Sequence, residues 1–432
     1  MRSFASKLRS NYMIRTLFGL RGNPRYCIWL EPLWGIPYNL YLPYVTLFMT
    51  QLGMTPADIG LVTSVTLGSQ MVSAILSGVL TDKLGRRWCT VIFDCLSWSV
   101  PELLWACSQN MNWFLVAALF NGMWRITENS WGLLLVEDAD PETVMPMFSL
   151  THLMGLVAAF FAPLSKLAVD AFGVTITMRM LYALAGVSMT AKFLILFFLS
   201  KETAIGKRRM EVSRNKSIFR MVWECKDVYL SIIREKRMVL TLAIIATYTL
   251  ITTLNGNYWA LYITTRLGIT EGNVSLYTTF KSMVLLACIF TVVPAVAKVK
   301  MKRPMLLSLG GFALSQALLL ALPERSASVP LLLLSIALEG TALAVLNPLT
   351  SSLLFINADP EERARVYGMV YATITLIVAV FPLAVGQLAQ LSLRIPFWVN
   401  LGLFGVLAAL TWKICMLPEP ARPGNGSIDE KE

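Results

Sequence analysis

Inside an apolar run near 112 to 136, Asn121, Arg125, Glu128 and Gly132 recur at intervals of four, three and four residues. That spacing puts all four on one face of a helix. An ionised side chain at mid-bilayer costs about 2.5 to 3.5 kcal/mol on insertion scales, so this face must meet protein or water. Two uses are open to it: an ion pair that neutralises itself, or a pathway for a substrate or a proton. A movement separating Arg125 from Glu128 would strand a buried carboxylate and draw a proton onto it. Glu102, beside the kink-prone Pro101 in the preceding run, is the reserve candidate. Similar polar positions interrupt apolar sequence farther on: Asn255, Asn257 and Tyr258, then Glu339 and Asn347, with Lys281 as a partner for Glu339.

Covalent chemistry has no comparable support. No nucleophile, base and orienting group fall together as a motif, and no glycine-rich P-loop is present to hold a nucleotide. Seven cysteines are scattered without metal-ligand spacing. The single histidine, His152, reads as a packed residue. No enzyme, metal or cofactor is expected, and a membrane-embedded enzyme or lipid scramblase is the alternative from another class.

The elements that must hold these residues follow from composition. With 56% hydrophobic and 15% charged residues, and a mean hydropathy of +0.62, the chain is a polytopic membrane protein. Runs long enough to cross the hydrocarbon, about 20 residues each, lie near 27–50, 57–80, 89–109, 112–136, 146–169 and 178–200. Six more lie near 238–263, 273–297, 305–322, 329–355, 366–391 and 395–417. Long continuous runs exclude barrel strands, which are short and alternate. The net charge of +11 is sorted by loop rather than spread. Basic residues gather before Tyr26, at Lys83 to Arg87, from Lys201 to Arg237 and from Lys298 to Arg303. The positive-inside rule then makes both termini cytoplasmic, and no nucleic acid is needed to explain the charge.

Between the second and third runs stands Gly78 to Arg87, GVLTDKLGRR. Its physical reading is a tight cytoplasmic turn: Gly78 lets a helix pack close, Gly85 supports the turn, and Lys83, Arg86 and Arg87 keep the loop inside. Glu137, Asp138 and Asp140 end the fourth run at the same depth, which makes Glu137 a partner for the arginines. The pattern of glycine, aspartate, basic residue, glycine and two basics resembles the loop 2–3 signature of the major facilitator superfamily. The resemblance extends over essentially the whole chain, from Tyr26 to Leu417. It implies a secondary transporter with substrate bound between two bundles, and gives Asp82, Arg86 and Arg87, with Gly78, Gly85 and Glu137, the role of an inner gate. A drug and proton antiporter is an alternative within it, whose signatures the sequence meets only in part. In Gly155 to Lys166 alanines replace most of their glycines, and Ala118 stands where an arginine should precede Gly122.

Two halves are legible. TQLGMT at Thr50 recurs as TRLGIT at Thr265, and Asp140-Pro141-Glu142 and Pro163 recur at Asp359-Pro360-Glu361 and Pro382. The chain therefore reads as an all-α polytopic protein, twelve transmembrane helices in two six-helix bundles related by a pseudo-two-fold repeat. Residues 1–25 form an amphipathic cytoplasmic segment, with a transit peptide as the rival. The bundles occupy 26–200 and 238–417, separated by a linker over 201–237 with one amphipathic helix, and a tail covers 418–432. In the first span Trp29 and Tyr44 read as interfacial, while Glu31 and its polar neighbours face a cavity. Lys166 and Asp170 form a neutralised pair, and Pro163 and Pro382 mark equivalent bends. The function expected is alternating-access transport of a small solute by a monomer in the cell membrane, coupled to protons or uncoupled.

Overall fold

A computed structural model describes residues 17–139, 141–224, 234–296, 299–325, 328–357 and 363–417. Among them all regular structure is helical. Eight helices are long and apolar enough to cross a membrane: Pro56–Leu84, Leu164–Leu199, Lys236–Thr265, Glu271–Val293, Lys302–Ala321, Val329–Thr350, Gly368–Leu391 and Ile395–Cys415. Large apolar side chains such as Val187, Phe198, Leu307 and Leu391 stand exposed on the outside, as a lipid-facing surface requires.

The remaining expected spans are assembled from shorter pieces. The run at 27–50 comprises Gly22–Trp29, Pro32–Tyr41, a 3-10 turn at Leu42–Tyr44 and Val45–Gln51. Pro32 and Pro43 open pieces of it, where a missing N–H costs little. Pro37 lies inside a helix, and the carbonyl it leaves free, that of Leu33, accepts a hydrogen bond from Ser188 Oγ at 2.7 Å. The run at 89–109 passes from Arg86–Asp94 through a π-helical turn at Cys95–Ser99 into Val100–Ala106. Its successor breaks between Met111–Asn121 and Trp124–Val136. Gly122 belongs at that break, because a Cβ there would lie 2.4 Å from Ser69 Cβ.

Helix Pro141–Ala159 ends before Pro163, which opens Pro163–Leu199; that helix in turn breaks at Gly173, with φ 73°. Pro382 likewise opens a new piece, Phe381–Leu391. Both prolines thus follow a break. The two copies of the six-residue repeat also share a backbone device, since Gly53 and Gly268 adopt φ 82° and 75°, the left-handed turn that closes a helix.

One apolar cluster runs through both halves of the chain, from Tyr44, Phe48 and Ile59 to Leu254, Tyr262 and Val385. The halves touch closely where Pro56–Leu84 begins. A Cβ on Gly60 would lie 2.2 Å from the Pro382 carbonyl oxygen, and one on Gly386 would lie 2.8 Å from that of Pro56. Around this contact Asn257 donates to Thr63 at 3.0 Å, the Leu383 N–H to Ser64 at 3.1 Å and Gln390 to Thr55 at 3.0 Å. Tyr44 joins the same end, donating to the Gly272 carbonyl at 3.0 Å from a fully buried position. It is therefore a contact between halves and not an interfacial belt residue.

Two expectations about the loops change. Gly78 has open space where its Cβ would be, so no helix packs close there. Among its described residues the linker holds two helices, Ala204–Ser213 and Ile218–Glu224, and folds back onto Pro56–Leu84. Ser213 Oγ donates to the Asp82 carbonyl at 2.9 Å, and Lys83 donates to that of Lys216 at 2.9 Å. Tyr229 of the expected amphipathic helix, residues 1–16, Asp140, the repeat at Asp359-Pro360-Glu361 and the tail all lie outside the described residues.

Candidate functional site

Two cavities flank the 3-10 turn at Leu42–Tyr44 and share Leu42 and Val45. The first, about 560 Å³, lies within the N-terminal half. Its walls carry Glu31 and Trp34, Asp94 and Trp98, and Glu128 and Lys192. Prolines and the π-turn position them, because each breaks a helix beside the cavity. The second, about 440 Å³, lies between the halves, with Asn39 and Thr46 on one wall and Asn255, Asn257 and Lys281 on the other.

In the second cavity the polar groups are held from behind. Glu339, 2% exposed, accepts from Asn255 Nδ2 at 2.8 Å and Lys281 Nζ at 3.1 Å. Gln316 donates to Asn255 Oδ1 at 3.2 Å. The carboxylate is buried but neutralised and hydrogen-bonded, the condition under which burial is tolerated. Its effect is to fix one amide and one ammonium on the cavity wall. Lys281 also sits 5.3 Å from the Trp259 ring, within cation–π range.

Asn121 and Glu128 line the first cavity although the helix breaks between them. Asn121 donates to the Ser97 carbonyl at 3.0 Å, inside the π-turn whose ladder leaves that oxygen accessible. Arg125 bonds Glu128 at 2.6 Å. Its guanidinium lies 4.2 Å from the Trp124 ring and 4.8 Å from the ring of Tyr371, which comes from the other half of the chain. Glu102 is fully buried behind Tyr41, whose hydroxyl donates to it at 2.7 Å; it stands apart from the Arg125 pair.

Other expectations are corrected. Tyr258 is fully buried against Pro56 and Gly386, its hydroxyl donating to the Pro56 carbonyl at 3.2 Å, so it joins the halves and lines neither cavity. Asn347 accepts from Tyr248 and is exposed, some two turns along the helix from Glu339. Asn255 and Asn257 stand on one continuous helix, Lys236–Thr265. Lys166 and Asp170 do pair, at 2.5 Å.

Three functional groups were missed or undervalued in the sequence. Lys192, buried, donates to the partly buried Glu31 at 2.7 Å, and Asp94 faces the same cavity. The available signal was simple: a charge inside an apolar run is a functional candidate by default. The third is Glu202, which receives the backbone N–H of Arg86 at 2.8 Å and of Arg87 at 2.9 Å.

Glu202 completes a charged cluster at the Asp82 end. Gly85, with φ 81°, turns the chain so that those two N–H groups open the next helix toward Glu202, an anion at a helix N-terminus. Arg86 binds Glu137 through Nε and Nη2, the latter at 2.9 Å, and Asp82 through Nη1 at 3.1 Å. Arg87 departs from the expected role. It donates to the Phe197 carbonyl at 2.8 Å, lies over the Phe197 ring and makes no ion pair among the described residues. The whole cluster belongs to the N-terminal half and the start of the linker.

Comparison with known proteins agrees with this architecture. The chain matches the Major Facilitator Superfamily over residues 34–256 and 240–432. An 85-residue stretch is 28% identical to the quinolone resistance protein NorA of Staphylococcus aureus, covering 20% of this chain and 22% of that protein. Among solved structures, the nucleoside transporter NupG superposes with a TM-score of 0.69 at 16% identity, over 92% of this chain and 100% of that one. The human organic anion transporter MFSD10 gives 0.63 at 18% identity, over 90% and 99%. These two share the fold. The chain belongs to the Major Facilitator Superfamily and is a multi-pass membrane protein.

Proposed function

We propose that this protein moves a small organic solute across the cell membrane by alternating access, as a monomer of twelve spans in two six-helix bundles with both termini cytoplasmic. The observation that carries the reading is the cavity of about 440 Å³ between the halves, walled by Asn255, Asn257 and Lys281 on one side and Asn39 and Thr46 on the other. A site built from both halves changes its access when the halves rock against each other. The hydrogen bonds between halves cluster at the Pro56 end, which faces outward in this topology, so the conformation is closed to the outside.

Proton coupling is assigned to Glu128. Its partner Arg125 also touches Tyr371 of the opposite half, so rocking makes and breaks the pair that neutralises the carboxylate. The test is solute accumulation in proteoliposomes under an imposed pH gradient, with the solute chosen by thermal stabilisation. Wild type should accumulate it, and Glu128→Gln should equilibrate it without accumulation. Unchanged accumulation by the variant removes Glu128 from the coupling, and indifference of wild type to the gradient makes the protein an uncoupled facilitator. Efflux of drugs is a second reading, favoured by the stretch similar to NorA.

The Asp82 cluster acts on the conformational equilibrium and not on recognition, because it lies at the end of Pro56–Leu84 remote from both cavities. Asp82→Asn should slow turnover several-fold while ligand affinity, read by equilibrium binding, stays within roughly threefold. Equal transport at equal expression contradicts this role.

A further inference from the structure

The cavity inside the N-terminal half has a composition unlike that of the cavity between the halves. Trp34 stacks on Tyr38 with centroids 4.7 Å apart and planes at 14°, and Trp98 stands edge-on to both at 5.0 and 5.9 Å. Together they form one packed aromatic wall of the cavity. Lys192 reaches into this region: its ammonium lies 5.7 Å from the Trp34 ring and 5.8 Å from that of Trp131. Those distances fall within the range of about 6 Å over which a ring attracts a cation.

The charges do not balance. Glu31, Asp94 and Glu128 line the cavity. Lys192 is committed to Glu31 and Arg125 to Glu128. Asp94, 6% exposed, makes no ion pair among the described residues, and the basic charge that acts on it is that of Lys192, already bonded to Glu31. Three carboxylates thus share two basic side chains, around a space of about 560 Å³, which is the size of sites that enclose drug-sized ligands. A surplus buried carboxylate beside aromatic faces is completed by a positive charge on an apolar body.

We propose that this cavity is a binding site for an organic cation with an aromatic or apolar body, and that Lys192 is its built-in occupant, displaced from Glu31 and the aromatic wall when the ligand enters. The four-carbon stem of lysine allows that withdrawal, and the ligand's charge then pairs with Asp94 while its body lies against the wall. The inference deepens the transport reading, on which it rests for the cavity's access to solute. It names the substrate class of the N-terminal half.

The probe is tetraphenylphosphonium, with tetraphenylborate as its anion of matching shape, added to the purified full-length protein in detergent. Binding is read by tryptophan fluorescence and by thermal stabilisation. The cation should bind saturably and the anion should not. Asp94→Asn and Trp98→Leu should each weaken the cation roughly tenfold. Lys192→Met should tighten it; if that variant does not fold, Lys192→Arg, which keeps the charge in a bulkier group, should weaken it. Equal binding of both ions, or cation binding unchanged in folded Asp94→Asn and Trp98→Leu, overturns the proposal. The same result would follow if a proton, not an organic cation, balances Asp94. Gradient-driven flux of another solute in proteoliposomes, with no cation binding, sinks this inference and leaves the transport reading intact. Cation binding without any flux does the reverse.

Discussion

Gly60→Val should leave the protein unable to close at the Pro56 end, with accumulation of solute falling at least tenfold. The reason is that the neighbour is backbone. A Cβ on Gly60 would lie 2.2 Å from the Pro382 carbonyl oxygen, 3.0 Å from its carbon and 3.2 Å from the Cα of Gly386. No side chain can rotate away, so Pro56–Leu84 and Phe381–Leu391 must separate. Overpacking of this kind costs about 1–3 kcal/mol, and each 1.4 kcal/mol is about tenfold in an equilibrium. The direct readout is a cysteine at Thr63, which sits between the halves and bonds Asn257, in a background lacking the native cysteines. A membrane-impermeant maleimide should label it roughly tenfold faster when Gly60 is valine. Unaltered labelling would mean that this contact does not hold the halves together.

The second large effect is one of stability. Arg86→Ala removes a guanidinium only 3% exposed, which bonds Glu137 through two nitrogens and Asp82 through the third. Glu137 would remain buried with only the Thr203 hydroxyl to satisfy it. Breaking one side of a buried pair costs about 3–5 kcal/mol, because the other charge loses its compensation. A marked fall in melting temperature is expected, with partial recovery when Glu137→Gln is added. Arg87→Ala should be milder, since its guanidinium makes one bond to a carbonyl and one ring contact. If the two single variants melt alike, the pairing with Glu137 is not what stabilises this end.

These expectations rest on contacts of different legibility. Arg125 and Glu128 are three residues apart, so helical spacing alone places them together. Arg86 and Glu137 are 51 residues apart, and only a matching depth at two span ends connected them. Lys281 and Glu339, 58 apart, were paired by the need to neutralise two buried charges. Lys192 and Glu31, 161 apart, had no such guide. Glu202 carries no motif in the sequence, yet its carboxylate receives two backbone N–H groups, 116 and 115 residues away.

Composition and periodicity by themselves determined that this is a polytopic helical membrane protein, where its apolar runs fall, and that its two halves echo each other. The physical reason is that hydrocarbon tests every residue of a span alone, through transfer free energy and backbone satisfaction, and both can be read along the chain. The left-handed turns at Gly53 and Gly268 and the breaks before Pro163 and Pro382 were equally local, being conformations that those residues favour or enforce. Tertiary structure alone decided that Gly60 and Gly122, not Gly78, are the close-packing glycines. It also decided that Tyr44 and Tyr258 join the halves, and that Glu31, Asp94 and Lys192 share one cavity. Each of these depends on which helices become neighbours and how they are rotated. Packing sets that choice over the whole bundle, and no single span carries it.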